Sequence, residues 1–158
     1  MQRYLPIILL AVLAARPAVE GQEYDRIDIS GRLGADQRRF ELHIRCSPYS
    51  AERHAGASHF WGGDSPGFRP STVITSLRFT LEKTSMSIPR EAFSDLGDID
   101  VPNGPFPHGD AGEIMLILHG GDAAGGYTCH LFFRDGKLVR REIYGYLAKE
   151  PTEVKRFP

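Results

Sequence analysis

The chain has 158 residues, with 19 Lys and Arg against 20 Asp and Glu, a formal net charge of −1, and 41% hydrophobic residues. That balance gives no electrostatic reason to expect nucleic acid as a partner. The length suits one domain with its own hydrophobic core, and two domains would be cramped.

The N-terminus reads as an export signal. Arg3 supplies the basic start, and Leu5 to Ala15 forms an apolar run of eleven residues, well short of the ~20 a membrane-spanning helix needs. Small residues follow, and Val19-Glu20-Gly21 before Gln22 is the favoured cleavage site. The expected organisation is therefore a signal peptide over 1–21 and a single β-rich exported domain over 22–158, with no permanent membrane anchor. Cleavage would remove Arg3, Arg16 and Glu20, taking the 19 basic and 20 acidic residues to 17 and 19.

Beyond the signal the pattern has period two, and no long helical period replaces it. Tyr24 to Ser30 is the first expected strand. Phe40, Leu42, Ile44 and Cys46 then alternate with Glu41, His43 and Arg45, and Val73 to Leu81 alternates in the same way, as strands with one wet face do. A turn at Lys83 to Ser85 leads to a strand at Met86 to Ile88, and Pro89 opens a short helical turn through Leu96. Ile114 to Leu118 is continuously apolar, the signature of a strand covered on both faces.

Asp135-Gly136, between Tyr127 to Arg134 and Lys137 to Tyr144, supplies the positive φ angles of a tight hairpin. A strict two-residue turn sets Phe133 against Leu138 but Leu131 against Arg140 and Cys129 against Glu142, an uneven face that leaves a shifted register open. The charged, proline-punctuated tail from Lys149 is expected to lie loosely at the surface. Together these elements predict a mainly β, single-domain antiparallel β-sandwich or partly open barrel of about six or seven strands with one short helix.

Cys46 and Cys129 are the only cysteines. In an oxidising compartment they are expected to form a disulfide, worth about 4.5 kcal/mol on the chain-entropy model for a loop of this length. The alternative is two buried thiols acting as small apolar side chains.

Function, if it lies in loops, points to the stretch from Ser47 to Ser71, too long for a mere connection. His59, Trp61, Asp64 and Arg69 are its candidate binding residues, because aromatic and arginine side chains are the usual anchors of interfaces. The competing reading is that its aromatic residues cap an open end of the sheet. His108, His119 and Asp122 are weak candidates for a metal site, since the His-Gly-Asp and His-Gly-Gly-Asp segments that contain them are also ordinary turn chemistry and match no known ligand spacing.

No nucleophile elbow, phosphate loop or acid and base pair is recognisable. The reading that leads is a small exported, non-enzymatic binding or inhibitor module, monomeric, needing no cofactor, with a protein partner in the exported compartment. An exported hydrolase or metal-dependent enzyme built on the histidine and aspartate loops, and a structural envelope protein assembled through sheet edges, are the alternatives.

Overall fold

The computed structural model describes residues 26–54, 59–62, 69–100, 106–109, 113–121 and 125–158. The expected signal peptide and Tyr24 lie outside the described residues. The alternating segments fold into β1 (Arg26–Leu33), β2 (Arg38–Pro48), β3 (Thr72–Leu81) and the two-residue β4 (Thr84–Ser85). After a 3-10 turn at Arg90–Ala92 come β5 (Phe106–Gly109), β6 (Ile114–Gly120), β7 (Tyr127–Arg134), β8 (Lys137–Gly145) and β9 (Glu153–Arg156). Each sheet is a plain antiparallel meander, β1-β2-β3-β4 in one and β5-β6-β7-β8-β9 in the other, and they close no barrel.

Alternation decides what each sheet hides. Ile27, Leu42, Ile44, Leu77 and Phe79 of the first sheet meet Leu116, Leu118, Leu131, Phe133 and Ile143 of the second in one core. The rings of Phe79 and Phe133 lie 5.7 Å apart across the interface. Two corners join the layers. The Ser87 N–H donates to the Gly136 carbonyl at 2.8 Å and the Ser87 carbonyl accepts from Leu138 at 3.1 Å, while Gly34 at the end of β1 stands against the Gly109 carbonyl of β5. The expected strand at Met86 to Ile88 is thus a single bridge at Ser87, beyond a turn at Glu82 and Lys83.

Asp135 and Gly136 take φ of 51° and 75° and make the predicted hairpin turn, with Phe133 opposite Leu138. One residue further, Val139 bulges out and the register shifts, so that Leu131 faces Arg141 and Cys129 faces Ile143. The strict register is therefore replaced by the shifted one. A bulge changes which side chains point inward. Here it turns Arg141 into the core, where only 1% of the residue is exposed.

The guanidinium is met by a prepared set of acceptors. Its Nη1 and Nη2 donate to the two carboxylate oxygens of Asp95 at 2.7 and 2.6 Å, Nη1 also reaches the Glu91 carbonyl at 3.3 Å, and Glu153 of β9 lies 2.9 Å from Nη2. Burial works against the charged form, but the Asp95 hydrogen bonds and charge outweigh it and raise the Arg141 pKa. A planar fork facing a carboxylate is the geometry in which such a pair is strongest.

Two expectations fail here. The tail is not loose: β9 is the fifth strand of its sheet, Glu153 pairs with Arg141, and Phe157 packs against the core. Its apolar content is too sparse to announce a strand. Nor do Cys46 and Cys129 form the predicted disulfide. They are separate buried thiols on facing sheets, 2% and 0% exposed. Each is enclosed in the apolar core from its own sheet and packs there as a small apolar side chain. Burial pushes the Cys129 thiol up to about 12, against the pull of Arg141, and pushes the Tyr127 hydroxyl well above its ordinary range.

Asp95→Ala strands a buried cation and is expected to cost about 3 kcal/mol in urea denaturation, while adding Arg141→Met to the same chain recovers much of that loss. The raised Cys129 and Tyr127 pKa values predict a second outcome. Below the ordinary thiol value of 9.0 both groups are protonated folded or unfolded; above it the unfolded chain ionises first, so stability falls as pH rises toward about 12. Denaturation midpoints measured between pH 7 and 11 check the sign, and native Cys129 resists iodoacetamide until the chain is unfolded.

Candidate functional site

The long loop between β2 and β3 is pinched at its neck, where the Tyr49 N–H donates to the Ser71 carbonyl at 2.9 Å. Among its described aromatic residues, Tyr49, Phe60 and Trp61 pack inward. Tyr49 stacks on His54 at 5.3 Å and meets Phe60 edge-on at 5.4 Å, and the Arg69 guanidinium lies 5.9 and 5.7 Å from the Tyr49 and Phe60 rings. Only 3% of Phe60 is exposed.

Trp61 packs against the core beside Tyr127 with His59 edge-on to it at 4.9 Å, and its backbone is clamped between the Asp95 carbonyl and the Gly97 N–H. His59, Trp61 and Arg69 thus divide between two aromatic packing groups, and Asp64 lies outside the described residues. The capping role describes Phe60 and Trp61. Trp61→Ala is accordingly expected to lower stability by about 2 kcal/mol or more, read as an earlier melting midpoint.

The segment holding Trp61 also knits the layers. Ile74 donates to the Leu96 carbonyl, the Asp98 carboxylate accepts from the Ser71 and Thr72 N–H groups at 3.0 and 2.8 Å, the Tyr127 hydroxyl donates to the Gly97 carbonyl at 2.9 Å, and Gly121 donates to the Asp98 carbonyl. Gly120 is required at this point. A Cβ there would fall 2.5 Å from the Tyr127 hydroxyl oxygen.

The outer faces of the two sheets differ in kind. The first carries Arg26, Arg32, Arg39, Arg45 and Arg78 around Asp28, Glu41 and His43, a wet face laced with ion pairs such as Arg39–Glu41 at 3.1 Å. His43 and Arg26 hydrogen-bond Asp28 and, against the opposing effect of partial burial, hold its carboxyl below the usual range. The second carries Phe106, Met115, Ile117, Tyr144 and Val154 and the buried Phe132, with His108, His119, His130, Arg140, Glu142 and Arg156 among them.

Arg140 lies 4.0 Å over the Phe132 ring, and His130 lies 4.9 Å from Tyr144, whose hydroxyl donates to Glu142 at 2.8 Å. Burial lowers the His130 pKa; Glu142 opposes that, while His119 and His108 reinforce it. A neutral ring suits an apolar surface. The Ile114 to Leu118 strand is therefore fully covered on its inner face only, since Ile117 and Met115 are half-buried.

His108 and His119 both stand on this face, on β5 and β6, and Asp122 lies outside the described residues. His119 Nδ1 is 3.1 Å from the Thr128 hydroxyl. Among the described residues no group of three or more His, Cys, Asp or Glu side chains is placed to hold a metal ion.

At the end of the same sheet, where β6 stops, β7 starts and β8 stops, a groove of about 550 Å³ opens. Asp100, His119 and Thr128 supply its polar groups, Gly120, Gly126 and Gly145 its bare backbone, and Tyr146 and Leu147 its apolar wall. Sequence reasoning missed this site. Asp100, Tyr146 and Leu147 are far apart in sequence and belong to no motif, and the turn after β8 carries no Asn-Gly or Asp-Gly signal. No family model, curated protein or solved structure matches this chain.

Proposed function

We propose that this chain is a small exported binding module, monomeric and non-enzymatic, that holds a protein partner against the outer face of its five-stranded sheet. The observation that carries the reading is the make-up of that face: Phe106, Met115, Ile117, Tyr144 and Val154, with Phe132 buried beneath Arg140, share one side of β5 to β9 with Arg140, Arg156, Glu142 and three histidines. Interfaces enrich aromatic residues, Met and Arg at their centres and deplete Lys, Glu, Asp and Ser; Glu142 on this face is engaged by Arg140 and the Tyr144 hydroxyl. Val154 is 49% exposed and Phe106, Met115, Ile117 and Tyr144 are partly exposed, and an apolar patch spread over several strands supports an interaction site. The leader over 1–21 supports export, and the arginine-rich face of the first sheet favours solvent.

This replaces the long loop as the candidate contact, because its described aromatic residues are engaged in packing. The test places a photo-crosslinking residue at Ile117, on the apolar face, and separately at Ser76, on the opposite sheet, in cells that export the protein. A discrete heteromeric adduct from position 117, absent from position 76, is the expected result. Equal adducts from both faces, or only self-adducts from 117, would refute a protein partner on this sheet.

A further inference from the structure

The groove at the end of the five-stranded sheet supports an inference independent of the protein-binding face. Its wall is built at a cost. Tyr146 and Leu147 form the centre of a turn closed by the Ala148 N–H on the Gly145 carbonyl at 3.0 Å. Leu147 takes φ of 59°, a position that such turns give to glycine or asparagine, and for a branched apolar residue the left-handed region costs about 1 kcal/mol. Folding returns nothing for that cost through burial, because Leu147 is 82% exposed and Tyr146 61% exposed. Where a chain breaks a local rule without a packing gain, a functional site is the usual reason.

The rest of the groove says what the wall faces. Asp100 and His119 are held together by the Asp100 N–H on the His119 carbonyl at 2.9 Å, and His119 is fixed to the Thr128 hydroxyl at 3.1 Å. A carboxylate, an imidazole and a hydroxyl therefore line the groove beside Gly120, Gly121, Gly126 and Gly145, where a ligand can approach the backbone closely. The volume of about 550 Å³ falls within the usual range of small-molecule sites. Among the described residues no lysine or arginine lines the groove and Asp100 supplies a carboxylate, so an anion is disfavoured.

A ligand matching this set has one apolar face for the Tyr146 ring and hydroxyls around its rim for Asp100, His119 and Thr128. A pyranose has that form: its C–H bonds lie against an aromatic face while its hydroxyls both donate and accept. We infer that the groove is a binding site for an uncharged saccharide of one or two pyranose units, stacked on Tyr146 and hydrogen-bonded by Asp100, His119 and Thr128. Leu147 widens the apolar platform, and the glycines admit the ring edge.

The experiment titrates the ¹⁵N-labelled protein with maltose, cellobiose and diacetylchitobiose, and with digalacturonate as the anionic comparison, each to about 20 mM, enough to reveal a Kd near 1 mM. Saturable amide shifts confined to Gly126, Thr128, Gly145 and Tyr146 with at least one neutral sugar are expected, with digalacturonate much weaker. Tyr146→Ala, at an exposed site that leaves the remaining spectrum unchanged, is expected to weaken binding about tenfold. Asp100→Asn separates hydrogen bonding from stacking and is expected to weaken binding while lessening the bias against digalacturonate. Absence of shifts with all three neutral sugars, equal affinity in Tyr146→Ala, or tighter binding of digalacturonate would each overturn the assignment. None of these results depends on the crosslinking outcome at Ile117.

Discussion

The structure turns on one buried cation. Arg141 enters the core because the hairpin of β7 and β8 bulges at Val139, and the fold accommodates it by bringing the segment after the 3-10 turn to it. Asp95 accepts both halves of the guanidinium fork through its carboxylate, and its backbone carbonyl accepts the Trp61 N–H. The next residues reach β3 through Leu96 and Asp98 and β6 through Asp98 and Asp100. A long connection with little regular structure of its own is thus held between the sheets by charge-assisted and backbone hydrogen bonds. Hydrophobic burial drives the two layers together and fixes which face of each strand turns inward; the Arg141–Asp95 fork adds a directional constraint at the bulge.

Because that segment binds both sheets, it also shapes the surfaces. It brings Asp100 beside His119 and holds Tyr127 under Gly120, which together make one wall and the floor of the groove. The β8–β9 hairpin, tied to the same arginine through Glu153, supplies the other wall. The sandwich consequently has an inner layer that fixes the chain, one wet arginine-rich face, and one apolar face that runs toward a polar groove. The binding readings use the second sheet because that is where large apolar side chains are left outside the core.

Much of the fold was legible. Phe40 to Cys46, Val73 to Leu81 and the Asp135-Gly136 hairpin were readable because period-two alternation and a positive-φ turn are local properties. The edge strands β5 and β9 were not, since four residues such as Glu153–Arg156 form a strand only when a neighbour offers its free hydrogen bonds. The long loop was identified as unusual, and its aromatic content was correctly noted, but sequence does not say whether Trp61 faces solvent or Tyr127. Arg140 and Arg141 are adjacent and chemically identical; the bulge alone sends one to the Phe132 ring and the other to the core.

The sequence by itself determined an all-β architecture and an approximate strand plan, because side-chain alternation, turn chemistry and apolar runs act over a few residues. Only tertiary structure decided that Cys46 and Cys129 remain apart as thiols, that Arg141 is the buried charge, and that Asp100, His119, Thr128 and Tyr146 share a groove. Those outcomes rest on register and on the packing of two sheets. A one-residue shift exchanges the faces of a strand, and which residues of the two sheets stand opposite one another is settled only when the layers pack.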